Sequence, residues 1–213
     1  MQTRPITLAA LLLAAAGAAP AQEPALEEIV VTAEKREASL QEVPISIAAV
    51  SGERLEELNI DDVMDLYVQT PGMSFSRAGG EAQIYIRGIG TDAFGVTIDP
   101  SVALHQDGVY LGRPQMGLTQ FLDVDRIEIL KGPQGTLYGR NATGGAINIV
   151  SRMPTPETEG YVTAGYGEWD RRELQGALSG PLGDNWQGRI AARYLKDDGF
   201  TDDLEPGGAE EID

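Results

Sequence analysis

The sequence predicts an α+β domain of roughly a hundred residues, followed by antiparallel strands patterned like the start of a transmembrane β-barrel. Three observations carry that expectation. Residues 43–150 alternate short helical patterns with β-branched runs, separated by glycine-rich joints. After Met153-Pro154-Thr155-Pro156 the hydrophobic period changes to two. Beyond the N-terminus no apolar stretch is long enough for a spanning helix, so membrane residence would have to come from strands.

The N-terminus reads as a cleavable secretory signal over residues 1–21. Arg4 supplies the positive end, residues 6–16 form a short apolar run, and Ala19-Pro20-Ala21 offers a small-x-small cleavage pattern before Gln22. A polar segment over residues 22–42 follows. It holds one β-prone hexamer, Glu28, Ile29, Val30, Val31, Thr32 and Ala33, between charged flanks. Such a hexamer buries too little surface to order itself. Two readings stay open from pattern alone: a mobile strand awaiting a sheet edge, or the first strand of the next domain.

The α+β domain is expected over residues 43–153. Residues 51–58 read as a helix with Leu55 and Leu58 on one side. Asn59 or Asp61 is the expected cap of a second helix whose apolar face holds Val63, Met64 and Leu66 or Tyr67, and Thr70-Pro71-Gly72 ends it. Strands are expected over residues 84–86, 101–106, 109–111, 126–130 and 146–150, with Asp107-Gly108 as a hairpin turn.

From residue 157 to 213 the chain reads as strands. Val162, Ala164 and Tyr166 share one face of the first, and Leu174, Gly176 and Leu178 one face of the second. Trp186, Gly188, Ile190, Ala192 and Tyr194 share one face of the third, opposite Gln187, Arg189, Ala191, Arg193 and Leu195. Aromatic residues at strand ends fit a barrel in lipid, although a soluble sandwich shares the alternation. Three strands cannot close a barrel, so the chain is expected to be part of a longer protein.

Composition removes several functions. The net charge of −17, from 16 basic and 33 acidic residues, argues against a nucleic-acid partner and against a basic membrane-binding patch. With no cysteine and one histidine, thiolate chemistry, disulfides and Cys/His zinc sites are excluded. The glycines at 135–145 lack a following Gly-Lys-Ser/Thr, and Gly88, Gly90 and Gly95 are misspaced for a dinucleotide loop. No G-x-S-x-G elbow occurs, and His105 reads as a structural strand residue. Asp123, Asp125 and Glu128 are close enough in sequence to suggest a cation, but charges flanking a strand are usually solvated or paired. No enzyme, metal site or cofactor is expected.

Four segments in order carry a resemblance: EIVVTA over residues 28–33, IYIRGI over 84–89, DGVY over 107–110 and VDRIEILKGPQGTLYGRNATGGAINIV over 124–150. Together they resemble TonB-dependent outer-membrane receptors, the first segment looking like the TonB box and the others like the plug domain. The resemblance implies a plug inside a barrel of about 22 strands, in the outer membrane of a Gram-negative bacterium with the plug facing the periplasm. It also implies uptake of a scarce nutrient, foremost a ferric siderophore, with haem, cobalamin or carbohydrate as rivals. Its partners would be TonB with its inner-membrane energising complex, a small-molecule iron chelate and outer-membrane lipid.

By motif position the resemblance carries plug–barrel locking roles onto Arg87, Arg126, Glu128 and Arg140. Lys131 stands where many relatives have arginine and lacks its bidentate fork. Ligand contacts in the family come from apical loops, here expected at residues 74–80, 90–95 and 111–117. These offer Phe75, Arg77, Phe94, Arg113 and Gln115 as contact candidates. The short spacer 22–27 before the box leaves no room for a signalling domain, so a plain transporter is expected. A different class, a secreted or periplasmic plug-like module without transport, is set against it by the strand-patterned residues 186–196.

Overall fold

The computed structural model describes residues 30–31, 38–39, 45–78, 80–92, 95 and 98–198. The expected signal peptide, and Glu28, Ile29, Thr32, Ala33 and Phe94 among the candidate residues, lie outside the described residues.

Two short strands open the described chain, β1 (Val30–Val31) and β2 (Ala38–Ser39), paired antiparallel. Then come β3 (Ile47–Ser51), α1 (Gly52–Glu57) and α2 (Val63–Gln69). Each helix starts where a side chain satisfies the free N–H groups of its first turn. Ser51 Oγ accepts from the Arg54 amide, and Asp62 Oδ1 accepts from the Met64 and Asp65 amides at 2.7 and 3.1 Å. The cap of α2 is therefore Asp62, not Asn59 or Asp61. The backbone of Asp61 donates instead to Asp65, which leaves the Asp61 carboxylate free to point elsewhere.

A hairpin of β4 (Met73–Ala78) and β5 (Glu81–Ile86) forms a two-stranded sheet of its own. This revises the expected loop at 74–80, most of which is strand. Met73 and Phe75 alternate with Ser74 and Ser76 for only two repeats before Arg77 breaks the pattern, and the pairing with β5 carries the strand on to Ala78. Next are β6 (Val102–Gln106), β7 (Val109–Tyr110), a 3-10 helix (Pro114–Leu118), β8 (Val124–Lys131), the one-turn α3 (Gly135–Tyr138) and β9 (Gly145–Ser151). Asp107 and Gly108 turn between β6 and β7 with φ of 49° and 80°, the left-handed pair that a two-residue hairpin requires.

Five strands make the central sheet in the order β3-β8-β9-β6-β7, with only the β6–β9 pair parallel. Because side chains alternate, the sheet buries two different layers. One face sends Val102, Leu104, Ile127, Ile129, Ile147 and Ile149 against Leu55, Val63 and Leu66 of the helices. Each fully buried aliphatic side chain there stabilises the fold by about 1.5–3 kcal/mol. The other face places Ala103, Leu130 and Ala146 beneath Val31 and Ala142.

The last three strands, β10 (Glu159–Tyr166), β11 (Arg172–Gly183) and β12 (Trp186–Lys196), form an antiparallel sheet of their own. The predicted turn at 180–185 shrinks to Asp184-Asn185, because β11 continues through an irregularity between Pro181 and Gly183. Val162, Tyr166, Leu174, Leu178, Trp186, Ile190 and Tyr194 are all more than half exposed on one face. The opposite face meets the α+β domain through polar and charged groups. An apolar outside and a polar inside is the arrangement of a barrel wall in lipid.

Candidate functional site: an apical cavity and a charged wall interface

Residues of two of the loops expected at the apex, Gly95 and Gln115, meet on one carboxylate. Glu81 opens β5 and is 6% exposed, and its Oε1 accepts from Gln115 Nε2 at 2.9 Å. Its Oε2 accepts from the Gly95 amide at 3.2 Å. A charged acceptor strengthens both bonds, so Glu81 ties Gly95 and the 3-10 helix to the β4–β5 hairpin. Beside it lies a cavity of about 30 Å³, lined by Gln83, Thr91, Ser101, Leu111 and Arg113 among others. The buried Gln83 Nε2 beside it has no hydrogen-bond partner among the described residues.

Of the proposed ligand contacts, Arg113 lines this cavity and Gln115 reaches Glu81. Phe75 and Arg77 sit on β4, opposite Ile84 and Ala82 of β5, rather than in a loop. The sequence pattern gives no signal for Glu81 and Gln83, because the expected strand starts at Ile84 and β5 starts three residues earlier. Tyr85 Oη donates to the Asp92 carboxylate, which raises the phenol's pKa by favouring its protonated form.

The proposed locking residues divide. Arg126 and Glu128 satisfy each other: Arg126 Nε lies 2.9 Å from Glu128 Oε1, and Glu128, fully buried, also accepts from Asn148 Nδ2 at 3.2 Å. Arg126 pairs with Asp125 as well, at 2.6 Å. Arg87 is exposed, has φ of 54° and donates to Ser46 Oγ at 2.9 Å. Arg140 is exposed, 3.8 Å from Asp99. Lys131 donates to the Pro71 carbonyl at 2.9 Å, tying β8 to the end of α2. The carboxylates of Asp123, Asp125 and Glu128, adjacent in sequence, thus face arginines rather than one another.

Contact between the α+β domain and the three-stranded wall runs through other residues. Arg189 of β12 grips Asp123 with two hydrogen bonds, Nε to Oδ2 at 2.5 Å and Nη2 to Oδ1 at 2.7 Å. Tyr161 Oη donates to the same carboxylate at 3.3 Å and accepts from Gln175 Nε2 at 3.0 Å. Two strand repeats further, Arg193 lies 3.3 Å from Asp61 and 2.8 Å from Glu173. Those contacts are close in distance but not aligned as hydrogen bonds, since Arg193 Nε and Nη2 have no acceptor in good geometry. Arg171 completes the group, 3.0 Å from Asp61 and 3.3 Å from Glu173. The sequence reading placed Arg189 and Arg193 on the polar face of their strand, and that four-residue spacing was the available signal. Their partners in the α+β domain, Asp123 and Asp61, are over 60 positions away and left none.

Near the hexamer, Val31 is wholly buried, while β1 is covered along one edge by β2. The ring of Tyr138 lies 5.1 Å from that of His105, and burial, aided by the Glu128 charge, pushes the Tyr138 phenol up to about 12.

A mixed-sheet domain paired through buried charges with amphipathic antiparallel strands is the build of a plug against the start of a barrel wall. The chain belongs to the TonB-dependent receptors: residues 39–146, about half of it, match the TonB-dependent Receptor Plug Domain family. It is 32% identical over 176 residues to a ferric-pyoverdine receptor of Pseudomonas putida, covering 80% of this chain and 20% of that protein. It is also 32% identical over 204 residues to the pesticin receptor of Yersinia pestis, covering 92% and 29%. A vitamin B12 transporter of Photobacterium profundum is 30% identical over 193 residues, covering 87% and 30%.

Among solved structures, the ferric yersiniabactin uptake receptor of Yersinia pestis superposes with a TM-score of 0.65 at 31% identity, over 70% of this chain and 24% of that one. The pyoverdine outer membrane receptor of Pseudomonas aeruginosa gives 0.67 at 27% identity, over 81% and 25%. The chain thus spans less than a third of the length of these relatives. They are receptors and transporters rather than enzymes, and they place the chain in the cell outer membrane.

Proposed function

We propose that this chain is the plug and first wall of a receptor that binds a ferric siderophore at the outer membrane and imports it with energy from TonB. The observation that carries the reading is the junction itself. The plug and three strands with a lipid-type outer face are joined by inward-facing arginines, an arrangement without use in a free-standing plug module. Ferric chelates enter as the cargo because the pyoverdine and yersiniabactin receptors are among the similar proteins. Cobalamin is the second cargo to test, since a vitamin B12 transporter matches at comparable identity.

In this reading Glu28, Ile29, Val30, Val31, Thr32 and Ala33 add as a strand to TonB, with main-chain hydrogen bonds supplying affinity and side chains the register. Phe75, Arg77, Phe94, Arg113 and Gln115 remain the proposed ligand-facing set, with Glu81 holding Gln115 in place. Arg87, Arg126, Glu128 and Arg140 remain proposed locks toward further strands of the wall.

The test is uptake by the receptor carrying this segment, in cells with and without TonB. Radio-iron ferric pyoverdine, ferric yersiniabactin and cyanocobalamin serve as probes. Import of one of them that disappears without TonB, and with Val30→Pro while binding persists, supports the reading. Equal uptake by Val30→Pro and the parent removes the box assignment; no TonB-dependent import of any probe removes the cargo assignment.

A further inference from the structure

The apolar outer face of the three-stranded sheet is broken at one place. Gly180 of β11 pairs with Gly188 of β12, and neither puts a side chain on that face. Two residues along, the pair of Leu178 and Ile190 stands on one side of the gap. On the other side the pairing slips between Pro181 and Gly183, and the extra residue of this bulge is Leu182. A Cβ on Gly188 would come 2.7 Å from Leu182 Cδ1, so a side chain there would displace Leu182. The result is a groove of about 320 Å³, with the two glycines as its floor and Leu178, Leu182 and Ile190 as its sides. We propose that this groove seats one acyl chain of a membrane phospholipid. The proposal rests on the reading of β10–β12 as a barrel wall in lipid.

The chemistry of the groove selects an apolar occupant. Leu178, Leu182 and Ile190 are all more than half exposed. Arg189 and Ser179 also border the groove, but their polar ends turn to the other face, onto Asp123 and Thr155. Thr158 brings one hydroxyl to an end of it. A lipid chain on a smooth wall touches protein along one side, whereas a chain in this groove is touched on its floor and both flanks. That gains on the order of ten additional carbon contacts, enough to raise residence about fivefold over the open face.

Depth points to the same occupant. Trp186 follows the Asp184-Asn185 turn and lies on the outer face, the place of an aromatic girdle at the membrane surface. From Trp186 to Tyr194 on that face, β12 covers about 20 Å of membrane depth at the tilt of barrel strands, close to an apolar band of about 25 Å. Gly188 lies two positions inside Trp186, about 5 Å deeper, where head groups give way to acyl chains.

The test uses the receptor carrying this segment, in vesicles of phosphatidylethanolamine and phosphatidylglycerol. A trace of phosphatidylethanolamine with a diazirine in its acyl chain is the probe. Photolysis and peptide mapping should place adducts on Leu178, Leu182 and Ile190 about fivefold above those on Val162, Tyr166 and Leu174 of the open face. Gly188→Val pushes Leu182 into the groove and should bring adducts on Leu178 and Ile190 down to the level of the open face. Should that variant fail to assemble, Leu182→Ser removes one flank without entering the strand pairing and should have the same effect. Leu174→Ser, away from the groove, should leave the adducts there unchanged. Equal labelling along the whole face of the parent, or labelling undiminished by Gly188→Val and by Leu182→Ser, overturns the proposal. An unlabelled groove beside a labelled open face, as a second receptor copy seated there would give, overturns it while leaving the wall in lipid. No adducts anywhere on the face remove the barrel-wall reading and the proposal with it.

Discussion

Val31 pairs with Ala38 across a two-residue antiparallel bridge, and its side chain is wholly buried in the cluster that holds Leu130 and Ala146. The same residue lies in the hexamer proposed to join TonB as a strand. A strand edge already paired, with a side chain already buried, must be freed before another sheet takes it. The intact chain should therefore bind the periplasmic domain of TonB more weakly than a free peptide of residues 28–33, by the fraction of molecules with the hairpin open. Ala38→Pro removes a donor on the partner strand and should bring the chain's affinity toward that of the peptide. Calorimetric titration of the three species checks this; equal affinities for chain and peptide would mean that the hairpin costs nothing to open.

Glu128 is the fully buried charge of the central sheet, and its neighbours define what replaces it. Arg126 and Asn148 donate to its two oxygens, so Glu128→Ala removes an acceptor from each and leaves Arg126 its bond to Asp125. Breaking one side of a buried pair costs about 3–5 kcal/mol, enough to consume much of a domain's stability. Glu128→Gln keeps the shape and one acceptor and should lose much less. Urea unfolding of the two variants in detergent checks the order. A loss for Glu128→Ala near that of an exposed substitution would show that the carboxylate is dispensable.

What the sequence made legible follows from how local each cause is. The Asp107-Gly108 turn, helix α1 after Ser51 and strand β12 are each set by neighbouring residues, and all lie where the pattern put them. Strand β4 was read as loop because its order comes from pairing with β5. Asp62 displaced Asn59 and Asp61 as cap because its carboxylate meets two amides, a matter of side-chain direction that spacing does not encode. The wall interface was hidden for a similar reason. Asp61 meets Arg171 across 110 positions and Asp123 meets Arg189 across 66, and only the folded chain brings them together.

Tyr138 makes the last expectation one about alkaline pH. Its phenol is raised from 10.0 to about 12, first by burial and then by the charge of Glu128. Below the ordinary tyrosine range both folded and unfolded chains hold the proton, and the group contributes no pH dependence. As pH rises through that range the unfolded chain releases its proton while the folded chain keeps it. The unfolded state then binds fewer protons, so stability falls until the folded phenol also ionises near 12. A two-unit difference corresponds to about 2.7 kcal/mol, and solvent reaching the half-buried ring reduces this to roughly 1–2 kcal/mol. Tyr138→Phe should remove that part of the alkaline loss while leaving the contribution of the exposed Tyr85, which is also raised. Urea midpoints for parent and variant, taken at neutral pH and again above the tyrosine range, measure the difference. Parallel declines in the two proteins would mean that the buried phenol does not govern alkaline stability.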